Sequence, residues 1–327
     1  MAVPSSGRFA RRAGLWRYAD FVRLWAGQTI SVFGSGITGS ALPLTALIDL
    51  RATPVQMGLL TAAGSAPVLA AGLVAGVWVD RLRRRPLMIT ADLGRALLLG
   101  SIPLAALLGS LRLEHLFVVA PLVGVLTVLF DVAYQSFVPD LVDREGALEA
   151  NSKLAVSASL AEVTTPGLTG VLVQLITAPV AILLDALSFV CSAACIGLIR
   201  APERTPAAAE QRRHLGREIA EGLRVVARSP ILRALAGQAA TQTFFGSFIA
   251  VLYALYALRE LQMGPVLLGL TIGVGGLSNL AGALLAEQVT RRFGGGPTIL
   301  GTTLCSASAL LIPLAGVAGG GPLVATA

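Results

Sequence analysis

The sequence predicts an all-α integral membrane protein. It reads as two parallel six-helix repeats with the second truncated, leaving about nine transmembrane helices. Composition, run length and an internal repeat carry this. Hydrophobic residues make up 55% of the 327 and charged residues 13%, about half the charge of a typical soluble domain. That balance excludes an ordinary cytosolic enzyme. The 36 glycines are spread along the chain, which suits close packing of helices in lipid.

Nine apolar runs follow one another, at about 22–48, 56–79, 87–110, 115–138, 153–177, 179–199, 232–258, 265–287 and 297–317. A spanning helix needs about 20 mostly apolar residues. Lipid leaves only helices or closed barrels as spanning structures, and these runs are too continuously apolar for alternating barrel strands.

The basic residues orient the runs. With the N-terminus in the cytoplasm, 21 of the 25 Arg and Lys residues fall on the inner side. They include Arg8, Arg11 and Arg12, the run Arg83-Arg84-Arg85, and eight arginines from Arg200 to Arg233. Only Arg51, Arg112 and Arg259 fall outside, and Arg95 lies within a span. This is the positive-inside pattern. It explains the net charge of +7 without nucleic acid, and predicts a multi-pass protein of the cell (inner) membrane.

The chain also repeats. Ala26-Gly27-Gln28 returns as Ala236-Gly237-Gln238, and Phe33-Gly34-Ser35 as Phe245-Gly246-Ser247. Pro54-Val55 returns as Pro265-Val266, and Asp80, Arg84 and Arg85 as Glu287, Arg291 and Arg292. The offsets are 210, 212, 211 and 207. Six spans per copy is an even number, so both copies enter the membrane the same way. The expected units are a six-helix bundle at 1–200, a cytoplasmic linker at 201–231 and a partial bundle of three helices at 232–327. Leu215, Ile219, Leu223 and Val226 recur at helical spacing among arginines, which predicts an amphipathic surface helix in the linker.

The sharpest motif joins spans two and three: Gly76-Val-Trp-Val-Asp80-Arg81-Leu-Arg83-Arg84-Arg85. Gly76 permits a tight helix crossing. Asp80 can bond helix N-terminal amides or pair with an arginine. The arginines suit anionic headgroups.

This segment resembles the signature loop of the major facilitator superfamily, at Gly76, Asp80, Arg81, Arg84 and Arg85; Arg83 replaces the usual glycine. Leu24-Trp-Ala-Gly-Gln-Thr-Ile-Ser, Ala91-Asp92-Leu-Gly-Arg95, Phe130-Asp131-Val-Ala-Tyr134-Gln135 and Glu149-Ala-Asn151-Ser-Lys153 resemble its bacterial drug, macrolide and siderophore (enterobactin-type) exporters. The resemblance implies the major facilitator fold and a secondary transporter that alternates access by rocking two halves. It implies an antiporter, most often exporting a drug-like compound against proton entry. Antibiotic resistance is the associated phenotype, and a complete chain is expected to be a monomer.

Ionisable residues within spans are costly and mark function by default. The five are Asp92, Arg95, Asp131, Glu162 and Asp185. Asp92 and Arg95 stand three apart on one helix face and predict an intramembrane ion pair. A carboxyl in apolar surroundings takes up a proton readily, which makes Asp131 and Glu162 the proton-coupling candidates. Pro166, Gly167 and Gly170 in span five predict a kink and close packing, and resemble a degenerate form of the family's Pro-Gly antiporter motif. Polar stripes in spans one and seven, together with Tyr134 and Gln135, predict cavity-lining residues: Gln28, Ser31, Ser35, Gln238, Thr241 and Gln242.

No Walker-type phosphate loop, catalytic triad or metal-ligand set is visible. The expectation is a non-enzyme with no cofactor and no metal, with the proton gradient as energy source. Its partners are the lipid bilayer, a proton and a small amphipathic solute. The alternative is a non-transporting remnant or sensor on the same scaffold. The truncated second repeat further predicts that residues 1–327 alone insert without transporting.

Overall fold

The computed structural model describes residues 15–79, 82–142, 144–201, 224–259, 263–264 and 266–275, with short pieces between 285 and 301. The described residues form helices and turns, with no strand. In order they are α1 (Ala19–Leu44), α2 (Pro54–Val79), α3 (Arg84–Leu107), α4 (Leu113–Leu141), α5 (Arg144–Ile176), α6 (Ala178–Gly197) and α7 (Pro230–Arg259), then the short apolar α8 (Val266–Gly275). Helices α1 to α4, α6 and α7 start and stop within a few residues of a predicted run, whereas α5 starts nine residues before its run, at Arg144, and the described part of α8 covers only 266–275 of the run 265–287. Five of them, α1 and α3 to α6, are long and apolar enough to cross a membrane by length and composition. Asp80, Arg81, the amphipathic segment up to Leu223 and most of the ninth run lie outside the described residues. Below, the end bearing the α2–α3 connection is termed inner.

Small residues set the helix pairings. Gly27, Ser31 and Gly34 form one stripe on α1. A Cβ added at Gly27 would come 2.8 Å from the Cys195 Cβ, and one at Gly34 would overlap Ser188 and Asp185. The α1 backbone therefore lies directly on α6, the helix with which it packs most extensively. On the other side of α1, the Thr29 hydroxyl donates to Ser157 Oγ of α5 at 3.1 Å, and Gly36 abuts Thr165. Gly124 of α4 sits where a Cβ would be 2.8 Å from the Gly64 carbonyl oxygen of α2.

Two connections are strained or special. The α3–α4 turn uses Gly109 at φ +63°, a left-handed position that favours glycine. A single residue, Thr177, joins α5 to α6 at φ +84°, a conformation costly for a β-branched residue. At its outer end α1 passes Pro43 and runs into a π-helical turn, Thr45–Asp49, where the Thr45 hydroxyl bonds the Ala41 carbonyl at 2.9 Å.

The core has two storeys. The inner one gathers Phe21, Leu24, Met88, Phe130, Phe137 and Ile196. The outer one gathers Ile37, Leu44, Leu99, Ile102, Leu116 and Phe189, and takes in Leu255, Ala257, Met263 and Leu268 from the α7–α8 region. Leucines and valines such as Leu97, Leu107, Val118 and Leu187 stand exposed on outward helix faces, as lipid contact requires.

At the inner rim, Arg85 Nε donates to the Ile196 carbonyl at 3.0 Å, and its guanidinium also reaches the Gly197 carbonyl. These carbonyls lie in the last turn at the C-terminal end of α6, where the helix dipole favours a cation. Arg84 donates to the Ser136 carbonyl of α4 at 2.9 Å. Asp20 accepts the backbone N–H of Ala201 at 2.9 Å. The Trp16 ring lies edge-on to Trp25 and under Lys153, whose Nζ is 4.3 Å from the ring centre.

Candidate functional site: charges and seams within the membrane

The five mid-span ionisable residues separate into two groups. Three are buried: Asp92 at 0% exposure, Arg95 at 3% and Asp185 at 1%. Two are exposed: Asp131 and Glu162.

The buried group lies between the two core storeys. Arg95 forms an ion pair with Asp92. Its guanidinium carbon lies 4.5 Å from the Phe130 ring centre and 4.1 Å from that of Phe189, so one ring from each storey faces the cation. Such desolvated cation–ring contacts are worth about 2 kcal/mol. Asp185 accepts a hydrogen bond from the Ser188 hydroxyl at 3.0 Å and touches α1 where Gly34 leaves room. Asp131 and Asp185 both lie within electrostatic reach of Arg95. Sequence spacing alone found the Asp92–Arg95 pair. It left Asp185 without a role: Ser188 shares its helix, but Gly34 and Arg95, the other groups around it, belong to α1 and α3.

Asp131 faces away from lipid. Leu122, exposed on the outer half of α4, precedes it by nine residues, which at about 100° per residue puts the two on opposite faces. Gln135, one turn further along, is exposed beside it, while Tyr134 is partly buried and stacks on Phe130 at 6.0 Å.

Glu162 stands one turn inward of Pro166, at a contact between α5 and α8. A Cβ at Gly269 would overlap the Pro166 carbonyl oxygen, and one at Gly273 would lie 3.1 Å from the Val163 carbonyl oxygen. Two glycines at i and i+4 thus let α8 lie on the α5 backbone. Helix α5 continues through Pro166 from Arg144 to Ile176, and Gly167 meets Leu270 across the same seam.

Above the seam is a cavity of about 380 Å³ between α1, α2, α5, α7 and α8. Its walls are mainly apolar: Leu44, Leu47, Met57, Pro166, Leu268 and Ile272, with Gly39, Gly170 and the hydroxyls of Ser40 and Thr61. None of the polar-stripe residues lines it. The predicted α1 stripe also needs correction. Ser31 is buried, because the Gly27–Ser31–Gly34 face is spent on α6. The face left over carries Gln28 and the exposed Ser35, and reaches the cavity at Gly39. On α7, Thr241 and Gln242 are exposed and Gln238 half-buried, with the Thr241 hydroxyl bonded to the Gly237 carbonyl.

Helix α7 is asymmetric. Residues 230–237 and 239–246 are exposed on every side, while Leu255 and Ala257 near the outer end are buried. Among the described residues, α7 is buried only near its outer end, and α8 meets α5 from Pro166 to Val163.

Comparison with known proteins agrees with this architecture. The chain is 30% identical over 274 residues to the multidrug efflux pump Tap of Mycolicibacterium fortuitum, covering 79% of this chain and 65% of that protein. It is 23% identical over 251 residues to macrolide efflux protein A of Streptococcus pyogenes, covering 77% and 62% respectively. The chain therefore spans slightly under two thirds of the length of these relatives. A bacterial homologue of the human lysosomal transporter Spinster, solved inward-facing and occupied, superposes with a TM-score of 0.72 at 14% identity, over 96% of this chain and 71% of that one. The same homologue, inward-facing and unoccupied, gives 0.66 at 15% identity over 85% and 64%. The sequence profile of the Major Facilitator Superfamily, whose members are transporters rather than enzymes, matches residues 24–327. The chain belongs to the Major Facilitator Superfamily.

Proposed function

We propose that the protein is a proton-coupled exporter of small amphipathic compounds in the cell membrane, with its N-terminus in the cytoplasm. The observation that carries this reading is the glycine seam. Gly269 and Gly273 seat α8 on the outer half of α5, while the inner half of α7 stands clear. A path closed outside and open inside is one of the two states alternating access needs. Asp131 and Glu162 lie below that closure and are exposed, where a proton and a solute can compete for them. The similarity to drug and macrolide efflux proteins supports export. The arginine distribution supports the orientation. The solute enters from the cytoplasm, protonation of a path carboxylate favours its release outside, and the protein works as a monomer.

The test is reconstitution in vesicles with an imposed proton gradient and a panel of amphipathic drugs. Gradient-dependent movement of at least one drug supports this reading, and insertion without movement supports the expectation drawn from the truncated repeat. Asp131→Asn or Glu162→Gln should abolish the dependence on the gradient while leaving membrane insertion intact. Two fully active variants would remove both residues from the coupling role, and no transport of any drug by any preparation would favour a non-transporting protein.

A further inference from the structure

The cavity above the α5–α8 seam stands apart from the mid-span charges. Its walls come from both parts of the chain: Gly39, Met57 and Gly170 on α1, α2 and α5 face Ala254 and Leu268 on α7 and α8. Among the described residues, no ionisable side chain lines it. Its volume of about 380 Å³ falls in the range of small-molecule sites, about 300–1,000 Å³. An apolar cavity of about 150 Å³ takes one benzene ring, so this one has room for about two to three rings. The polar groups on its walls are acceptors. The Thr61 hydroxyl donates its hydrogen to the Met57 carbonyl at 3.0 Å, which leaves its oxygen to accept. Pro43 carries no N–H, so the Gly39 carbonyl four residues back loses its usual helix donor, and both residues stand on the cavity wall. A Cβ at Gly39 would meet nothing within 4 Å, so that stretch of α1 is open to an occupant.

We propose that this cavity binds an uncharged, largely apolar molecule of about two to three rings carrying one hydrogen-bond donor, and that the bound molecule clamps the outer ends of the helices together. A charged molecule would leave water for walls that offer it no counter-charge. A single donor group finds the Gly39 carbonyl or the Thr61 oxygen. The clamp follows from the origin of the walls. Parting α7 and α8 from α1, α2 and α5 divides the cavity between two separate surfaces. A molecule that fits only the assembled cavity shifts the population toward the closed outer end. Such an occupant is a brake on alternating access rather than cargo. That consequence rests on the transport reading above, whereas the site and the clamp do not.

Two dyes with the same rings test this. N-phenyl-1-naphthylamine is uncharged and carries one N–H, and 8-anilinonaphthalene-1-sulfonate adds a negative charge. Binding of each to the purified 327-residue chain in detergent is measured by equilibrium dialysis, with empty micelles as the partition reference. Saturable binding of the amine is expected, at least about tenfold tighter than that of the sulfonate. Gly39→Leu and Thr61→Phe fill the cavity from α1 and α2, and each should weaken amine binding about tenfold or more. Either variant with a wild-type elution profile suffices. Gly58→Leu, on an exposed part of α2 with open space around it, should bind as the wild type does. Leu255 is buried near the outer end of α7 but does not line the cavity. With Cys191, Cys195 and Cys305 replaced by Ser, saturating amine should slow maleimide labelling of Leu255→Cys about tenfold, and Gly39→Leu should remove that effect. No saturable binding of the amine, equal binding of the sulfonate, unchanged affinity in both filled variants, or an equal loss in Gly58→Leu would overturn the site. Labelling that the amine does not slow would overturn the clamp. A chain that moves drugs but fails these tests keeps the transport reading, and one that binds the amine but moves nothing loses only that reading.

Discussion

Gly269 of α8 lies against the carbonyl oxygen of Pro166 in α5, so closely that no Cβ fits between them. Because Pro166 carries no N–H, the α5 backbone gives up one hydrogen bond there, at the Glu162 carbonyl position. The closest approach of the two helices thus falls where α5 is least constrained.

Gly269→Ala should push α8 off α5. Overpacking of this kind costs about 1–3 kcal/mol. Thermal unfolding in detergent should fall accordingly, and a cysteine at Ser40, in the outer cavity, should react faster with an external maleimide. Gly275→Ala, with open space around it, is the control and should change neither.

The α1–α6 seam makes a second prediction. Gly34→Ala places a methyl group onto Ser188 and Asp185 and should lower stability by about 1–3 kcal/mol. Gly39→Ala, on the same helix with nothing within 4 Å, should be neutral, or stabilising by up to about 1 kcal/mol through helix propensity. Paired melting curves decide it. Equal losses at both positions would mean that α1 is not seated on α6 as described.

Arg95→Gln should be among the most damaging changes in the chain. It leaves Asp92 buried and uncompensated, at a cost of about 3–5 kcal/mol. Removing both charges, as Asp92→Asn with Arg95→Gln, should recover part of that loss. Folded yield by size exclusion separates the cases. A double variant no better than the single one would mean that the Phe130 and Phe189 contacts, rather than the ion pair, dominate.

Orientation is checked chemically. In a background with Cys191, Cys195 and Cys305 replaced by Ser, a cysteine at Arg83 or Gln211 should resist membrane-impermeant reagents in intact cells, while one at Arg112 should react. Ready labelling at Arg83 would reverse the topology.

Helix positions were legible because runs of membrane length admit little else. The Asp92–Arg95 pair was legible because both residues lie on one helix. What stayed hidden depends on more than one helix. The Phe130 and Phe189 rings about Arg95 come from α4 and α6. The division of the α1 stripe into Ser31, buried, and Ser35, exposed, is decided by α6. The α5–α8 seam did leave a signal: Gly269-Leu-Thr-Ile-Gly273 has the small-residue spacing of a close helix crossing. Asp185 could have been paired with Gly34 only by knowing that α1 and α6 are neighbours.

The position of Pro166 along α5 has a mechanical consequence. Twenty-two residues separate it from the inner end at Arg144, and ten from the outer end at Ile176. At 1.5 Å per residue these are arms of roughly 33 Å and 15 Å. If α5 pivots where it rests on Gly269, the arms act as an unequal lever. A parting of about 2 Å at the outer end becomes about 4 Å at the inner end, in the opposite direction. The one-residue joint at Thr177 couples that swing to α6, and through α6 to the helix packed on it, α1. A modest outer adjustment is thereby geared up into a wide inner aperture.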